Sequence, residues 1–325
     1  MLGILIANLG TPDEPTPEAL RRYLGEFLWD PRVVEGSRPL WWLALNGVVL
    51  RTRPRKSAEA YSKVWTEQGS PLLAISLRQL DALRTALNQR LGAPVEVRLG
   101  MRYGKPSIAQ GLQELLDAGV QRLLVLPLYP QYSATTTASV FDAVAAIFSK
   151  ARDIPALRFV RDYHADNGYI EALAASVREH WQARGQGERL VLSFHGIPKE
   201  YADRGDPYPQ ECHATAARLA AALDLPAERW NVTFQSRFGP REWLQPYTDK
   251  TLEALARDGI RHIDLACPGF SADCLETLEE NAMTNRELFF AAGGERFEYI
   301  PCLNDRADHI QALTDLIARE LGGWL

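Results

Sequence analysis

Residues 189–196 of the chain read RLVLSFHG, an apolar run that leads into a histidine and a glycine. A short run that is apolar through most of its length is typical of a parallel strand covered on both faces. In parallel α/β sheets, ligands bind outside the carboxyl ends of the strands. The stretch therefore predicts a buried strand that ends on His195, a side chain able to accept a proton or bind a metal near neutral pH.

Similar runs recur along the whole chain, and the segments between them have helical spacing. In 76–87, for example, apolar residues recur at intervals typical of one helical face. Alternation of strands and helices predicts an α/β fold with parallel sheets. The predicted strands are Gly3–Ala7, Val95–Gly100, Arg122–Leu128, Leu157–Tyr163, Arg189–Phe194, Asn231–Gln235, His262–Ala266 and Phe297–Pro301.

The two halves of the chain resemble each other. Met101-Arg-Tyr-Gly104 in the first half and Ser236-Arg-Phe-Gly239 in the second each follow a predicted strand and lead into a helix. The repeat predicts two similar domains, residues 1–165 and 166–325, each with a four-stranded parallel sheet flanked by helices. We expect these domains to face each other across a cleft.

Composition excludes several classes of protein. The 325 residues carry a formal net charge of −5, so the sequence lacks the basic footprint of a nucleic-acid-binding protein. The four cysteines contain no C-x-x-C pair, which favours reduced thiols in a cytoplasmic protein. The apolar residues 1–7 lack a basic region and a cleavage site, so we interpret them as a strand and not as a signal peptide.

An acidic segment follows another strand of the second half. Asp273, Glu276 and Glu280 are spaced i, i+3, i+7, which predicts that they share one helical face. That face is either solvated or a path for a cation. His195 likewise has two interpretations, a hydrogen-bonded structural residue or a proton acceptor and metal ligand. One imidazole with carboxylates is an incomplete metal site, which suits a metal ion in transit, and the N and O ligands suit Fe²⁺.

A third feature is the lip, residues 36–56. Trp41 and Trp42 stand in an apolar run that is too short to span a bilayer. The cationic stretch Arg51–Lys56 follows directly. The run is either a core helix or an element that contacts an apolar ligand or a membrane surface.

Several longer stretches together resemble the ferrochelatase family, along nearly the whole chain. They are Asn8-Leu-Gly-Thr-Pro12, Tyr129-Pro-Gln-Tyr-Ser133, Ser193-Phe-His-Gly196, Arg204-Gly-Asp-Pro-Tyr-Pro-Gln-Glu211, Gln235-Ser-Arg-Phe-Gly-Pro240, Trp243-Leu-Gln-Pro246 and Pro268-Gly-Phe-Ser-Ala-Asp-Cys-Leu-Glu-Thr-Leu278. The resemblance implies two Rossmann-like domains and the insertion of Fe²⁺ into protoporphyrin IX to form protohaem, with release of two protons. Two alternatives remain open, a chelatase that loads Co²⁺ or Ni²⁺ into another tetrapyrrole and a haem carrier without activity.

The resemblance also implies roles for single residues. His195 and Glu276 match the catalytic and metal-binding pair, and Asp273 and Glu280 match the acidic row beside it. The positions that resemble porphyrin contacts are Leu9, Arg53, Tyr61, Ser70 and Trp243. Leu9 stands where the coproporphyrin-using branch has tyrosine, which favours protoporphyrin IX.

The remaining expectations concern cofactors and location. Fe²⁺ is expected as a substrate, with no permanently bound cofactor. No cysteine follows Cys302, so no [2Fe–2S] cluster is expected. Cys274 stands where many relatives have histidine. We expect a cytoplasmic enzyme that contacts the inner face of the membrane peripherally through the lip.

Overall fold

The computed structural model describes residues 1–92 and 94–324, which form two compact units. The first unit is Met1–Asp162 together with the C-terminal stretch from Leu313, and the second is Tyr163–Ala312. The sequence prediction placed that C-terminal stretch in the second domain. It belongs with the first because arginines of the first sheet hold it: Arg158 Nη1 donates to the carbonyl oxygens of Glu320 and Gly322, and Arg122 Nη1 to that of Trp324.

Within the described residues, each unit contains one four-stranded parallel sheet, which confirms the predicted fold class. The order is β2-β1-β3-β4 in the first sheet and β6-β5-β7-β8 in the second. The same order in both halves agrees with the predicted repeat. The strands are β1 Leu2–Thr11, β2 Glu96–Gly104, β3 Arg122–Pro127, β4 Ala156–Phe159, β5 Arg189–His195, β6 Trp230–Gln235, β7 His262–Ala266 and β8 Arg296–Ile300.

Helices connect successive strands, as the right-handed parallel crossover requires. They are α1 Pro17–Trp29, α2 Arg38–Ala44, α3 Leu50–Val64, α4 Pro71–Leu91, α5 Ile108–Asp117, α6 Ser139–Phe148, α7 Asn167–Arg184, α8 Lys199–Asp203, α9 Tyr208–Ala222, α10 Thr248–Arg257, α11 Arg286–Ala291 and α12 Ala307–Glu320. Three segments, Leu45–Val49, Ala134–Ala138 and Glu276–Asn285, are π-helical.

The central strands are buried on both faces, which explains their continuous apolar sequences. Leu5 of β1 and Val125 of β3 pack in one core cluster with helices α5 and α6. In the second unit, Val191 of β5 and Leu265 of β7 pack with Phe289 of α11. Two covered faces demand apolar side chains at successive positions instead of alternate ones.

Strand β1 extends four residues beyond its predicted end at Ala7, because it continues along β2 as far as Thr11. Gly10 permits this extension. Its φ is +108°, and a Cβ atom there would lie 1.7 Å from the carbonyl oxygen of Tyr103 on β2. Only glycine fits such a close approach of two backbones.

Candidate active site

His195 is the last residue of β5, a central strand of the second sheet. The ring is half-buried, and its Nδ1 atom lies 2.7 Å from the carbonyl oxygen of Gly196. A carbonyl only accepts hydrogen bonds, so this contact makes Nδ1 the N–H donor of the neutral ring. The lone pair is then on Nε2, which is the atom able to accept a proton or bind a metal.

The loop after β6 packs directly behind His195. Gly196 N–H donates to the carbonyl oxygen of Gln235 at 2.8 Å, and a Cβ atom on Gly196 would lie 3.3 Å from the ring of Trp243. Trp243 is itself held by its indole N–H, which donates to the carbonyl oxygen of Phe238 at 2.8 Å. Trp243, a predicted porphyrin contact, therefore stands beside the residue that follows His195.

The predicted row of three carboxylates on one α-helical face is wrong. The helix begins after Asp273, and Glu276–Asn285 is π-helical, with i→i+5 hydrogen bonds that widen each turn. Glu276 and Glu280 are about one turn apart and lie on the same side of this helix. Asp273 lies outside the helix and has different partners.

Asp273 is a buried carboxylate that accepts hydrogen bonds on both oxygens. Its Oδ1 accepts from Thr277 Oγ1 at 3.0 Å and from the Tyr299 hydroxyl at 2.5 Å. Its Oδ2 accepts from Asn304 Nδ2 at 2.8 Å. Burial, together with nearby negative charge that includes Asp273, raises the pKa of Tyr299 well above its usual value, which keeps the phenol a donor. Asp273 therefore fixes the entry to the helix that carries Glu276 and Glu280.

Glu280 is bound from the end of β6. Its Oε1 accepts from the Ser236 N–H at 2.8 Å, and its Oε2 accepts from the Ser236 hydroxyl. Burial raises the pKa of Glu280, while Ser236 and the nearby His195 oppose that rise. Ser236 adopts φ +64°, a left-handed conformation that non-glycine residues seldom adopt outside sites that require it. Positive charge on the nearby His195 therefore stabilises the Glu280 carboxylate.

Gln235 joins the three elements of this site, although no role was predicted for it from the sequence. Its Oε1 accepts from Ser193 Oγ of β5 at 2.7 Å and also from Asn281 Nδ2, while its Nε2 donates to the carbonyl oxygen of Glu276 at 3.0 Å. The sequence did contain one signal for a role of Gln235, because this polar residue ends an apolar strand and begins the family-like stretch 235–240.

Glu276 is half-buried, and the buried thiol of Cys274 is its neighbour. Burial and the charge of Glu276 raise the pKa of Cys274 well above its usual value. The sulfur therefore stays a neutral thiol beside Glu276, so it adds no second negative charge there.

The other predicted porphyrin contacts lie in the first unit. Ser70 is buried and accepts from Thr11 Oγ1 at 2.8 Å, at the end of β1. Tyr61 of α3 is buried as well, whereas Leu9 of β1 is half-buried. Arg53 of α3 is half-buried, and its burial lowers the pKa of the guanidinium to about 10.

The lip is neither a simple core helix nor wholly exposed. It comprises α2, the π-helical turn Leu45–Val49 and the start of α3. Leu45 and Leu50 are buried, whereas exposed apolar side chains line the outer side. These are Leu40 (69% exposed), Trp42 (53%), Leu43 (60%) and Val48 (61%). Across residues 1–92 and 94–324, the structure contains no helix with the length and apolar character needed to span a bilayer.

Trp41 belongs to the inner side of the lip. Its indole N–H donates to the carbonyl oxygen of Leu28 at 2.7 Å, and the ring is half-buried. Trp41 and Trp42 therefore differ in environment, because Trp41 is bound to α1 and Trp42 faces solvent.

The fold is that of the chelatases. SirB from Bacillus subtilis, solved with Fe³⁺, superposes with a TM-score of 0.58 at 12% identity, covering 100% of this chain and 97% of that chain. The sirohydrochlorin chelatase SirB from B. subtilis subspecies spizizenii, solved with cobalt, gives 0.54 at 11% identity over 98% and 95% of the two chains. At this level of identity the likeness shows the fold alone.

Sequence comparison is more specific. The ferrochelatase family model matches residues 1–321. The ferrochelatase of Thioalkalivibrio sulfidiphilus is 58% identical over 324 residues, which cover 100% of this chain and 88% of that protein. This chain belongs to the ferrochelatase family. It is an enzyme, a ferro-lyase, and its reaction is the insertion of Fe²⁺ into protoporphyrin to make haem.

Proposed function

We propose that His195 accepts the pyrrole protons during iron insertion, and that Glu276 and Glu280 guide Fe²⁺ to the ring. The observation that carries this proposal is the position of His195. Its Nε2 lone pair stands at the carboxyl end of β5, and the Glu280 carboxylate is near enough for the two charges to stabilise each other.

The proton step follows from the bonding of the imidazole. Porphyrin loses two pyrrole protons on metallation, and an imidazole with a free ring nitrogen can take them in turn and pass them to solvent. Nδ1–H remains bonded to the Gly196 carbonyl, so a proton arriving at Nε2 makes an imidazolium. The Glu280 carboxylate stabilises that charge.

The iron step uses the π-helix. Glu276 and Glu280 lie one turn apart and supply the oxygen ligands that a hard or borderline dication prefers. Ser236 holds Glu280, so this carboxylate need not be reorganised when the ion arrives, and the neutral thiol of Cys274 stands beside Glu276. Two carboxylates with one imidazole bind Fe²⁺ weakly enough for it to be transferred.

The porphyrin itself is assigned to Leu9, Arg53, Tyr61, Ser70, Trp243 and the lip. Protoporphyrin IX has two carboxylate arms and two vinyl groups, whereas coproporphyrin III has four carboxylate arms. The apolar outer side of the lip favours vinyls, and burial of unpaired carboxylates is costly. We therefore propose protoporphyrin IX as the preferred porphyrin, with Arg53 as a cation for one of its carboxylates.

Two further points extend this proposal. We assign the enzyme no permanently bound cofactor and no [2Fe–2S] cluster, and treat iron as substrate alone. We also assign it peripheral contact with the inner face of the membrane, through Leu40, Trp42, Leu43 and Val48. The support is the row of exposed apolar side chains followed by the cations of α3.

The test uses purified enzyme, protoporphyrin IX and anaerobic Fe²⁺. His195→Ala should reduce turnover by at least about 100-fold while porphyrin binding, followed by fluorescence, persists. Glu276→Gln keeps the shape and removes the charge, and most activity should be lost. The exposed His213 provides the matched control, His213→Ala. Turnover by His195→Ala within a few-fold of that control would reject the assignment.

A further inference from the structure

A second group of potential metal ligands lies in the second unit, away from His195. His262 and Asp264 alternate along β7 and so face the same side of the sheet. Glu298 of β8 is the register partner of Asp264, and His180 reaches the same side from α7. We call these four residues the amino-end cluster. Asp264 is in register with Leu190, five residues before His195, which places the two sites about 16 Å apart along the sheet.

Three buried atoms of this cluster have no hydrogen-bond partner among residues 1–92 and 94–324. They are Nε2 of His180, Nε2 of His262 and Oδ1 of Asp264. Asp264 is only 1% exposed, so bulk solvent does not reach its carboxylate. Buried polar atoms nearly always have a hydrogen bond, so three atoms without one at the same place point to a ligand that binds there.

The surrounding bonds aim these atoms at one another. Asp264 Oδ2 accepts from Trp181 Nε1 at 2.6 Å and from the Gly187 N–H at 2.8 Å, which fixes the carboxylate. Its Oδ1 then lies 3.5 Å from His262 Nε2. On the other side, His180 Nε2 lies 3.8 Å from Glu298 Oε2. Two ligands bonded at about 2.1 Å to one tetrahedral ion are about 3.4 Å apart, close to both separations.

We propose that His180, His262, Asp264 and Glu298 form a second metal site, selective for a divalent transition-metal ion of the Zn²⁺ class. Two neutral imidazoles and two carboxylates supply an N₂O₂ set with two negative charges, which a dication neutralises. Burial raises the pKa of Asp264, while the hydrogen bonds from Gly187 and Trp181, and then positive charge at the histidine positions, oppose that rise, so a cation beside this carboxylate is favourable.

Glu298 and His180 are the ligands that move when the ion binds. In the part of the chain that the structure describes, no three ligand atoms of this cluster lie within 4.8 Å of one another, so the two pairs must close. Glu298 Oε1 is held by Arg296 Nε at 3.0 Å, near the open edge of the sheet, while Oε2 faces His180. For one ion to contact all four ligands next to the fixed Asp264, the Glu298 side chain must rotate and the His180 ring must shift with it.

A metal here joins α7 to β7 and β8 and takes no part in the insertion reaction. Because it binds only the folded chain, it raises the stability of the second unit by mass action. The inference is independent of the roles proposed for His195, Glu276 and Glu280.

The experiment measures Zn²⁺ bound by the full chain in equilibrium dialysis. All variants carry His195→Ala and Glu276→Gln, so that the reaction site does not contribute. His262→Gln and His180→Gln should each weaken the tightest Zn²⁺ site by at least about 10-fold. They should also abolish the rise in melting temperature on Zn²⁺ addition, whereas the exposed His213→Gln should leave both unchanged.

The two histidine variants protect the test against misfolding. If His262→Gln fails to fold, His180→Gln, which lies on a helix, gives the same answer. Stoichiometry, affinity and thermal shift that are equal in all variants would overturn the proposal. Loss of Zn²⁺ binding by the His213→Gln control, to the same extent as by the His180→Gln and His262→Gln variants, would also overturn the proposal.

Discussion

His309 should make the second unit sensitive to mild acid. It lies on α12, fully buried, and its Nδ1 atom is 2.8 Å from the carbonyl oxygen of Asn304. Asn304 in turn binds Asp273, at the entry to the helix that carries Glu276 and Glu280. Burial lowers the pKa of His309 to about 4, from an ordinary value near 6.5.

The sign and size of the effect follow from linkage. Between pH 6.5 and pH 4 the unfolded chain binds a proton at His309 and the folded chain does not, so the free energy of unfolding falls as pH falls. With a folded pKa of about 4, the loss between pH 7.5 and pH 5.0 is about 2 kcal/mol. Below pH 4 it approaches about 3 kcal/mol, a large share of a typical stability.

The assay compares urea unfolding of the native chain and His309→Gln at pH 7.5 and pH 5.0, followed by tryptophan emission. The glutamine amide can still donate to the Asn304 carbonyl but cannot titrate. The free energy of unfolding of the native chain, relative to that of His309→Gln, should therefore fall by about 2 kcal/mol from pH 7.5 to pH 5.0. The exposed His213→Gln serves as control. A difference between native and His309→Gln that stays constant with pH within about 0.5 kcal/mol would refute the reasoning.

Three further predictions follow from the geometry. Gly10→Ala should destabilise the first unit by about 3 kcal/mol or more. Gly205→Ala should cost clearly less, because Gly205 has a similar φ of +104° but open space around it. Equal losses in chemical denaturation would contradict the backbone clash. The double variant Trp42→Ser with Leu43→Ser should leave the melting temperature unchanged and weaken binding to porphyrin or anionic vesicles. Trp41→Ser should instead lower the melting temperature, because it removes the hydrogen bond to Leu28. The opposite pattern would contradict the assignment of Trp41 to the inner side of the lip and Trp42 to the outer side. Ser236→Ala removes a hydrogen-bond donor to ionised Glu280, which raises the pKa of Glu280. The acid side of the pH–rate profile for iron insertion should therefore move to higher pH by up to about one unit. An unchanged profile would contradict a role for Glu280 in guiding iron.

Sequence alone predicted the parts of this fold that burial dictates. The apolar runs around Leu5 and Val191 indicated strands covered on both faces, and the structure places them there. The end of β1 was not predicted, because Asn8 and Thr11 are polar and their fit depends on the approach of Gly10 to β2.

The residues of the candidate site were likewise only partly predictable from the sequence. His195 could be found because a histidine after an apolar strand stands at a ligand-binding edge. The environment of Asp273 could not, since its partners Tyr299 and Asn304 are 26 and 31 residues away in the sequence. A π-helix also cannot be predicted from residue spacing, because α- and π-helices differ in hydrogen-bond register and the same residues can form either.

The π-helical segment has a consequence for how this site tolerates change in length. A π-turn holds one residue more than an α-turn and has poorer hydrogen bonds, so the segment stores a small instability that its tertiary bonds offset. Deletion of one residue after Glu280, among residues 282–284, would let the helix relax to the α form and gain local stability. Asn285 and everything after it would then rotate relative to Asn281, which now accepts from the Asn285 amide at 2.8 Å. Activity and helix stability would change in opposite directions, the trade-off expected where strain is kept for function.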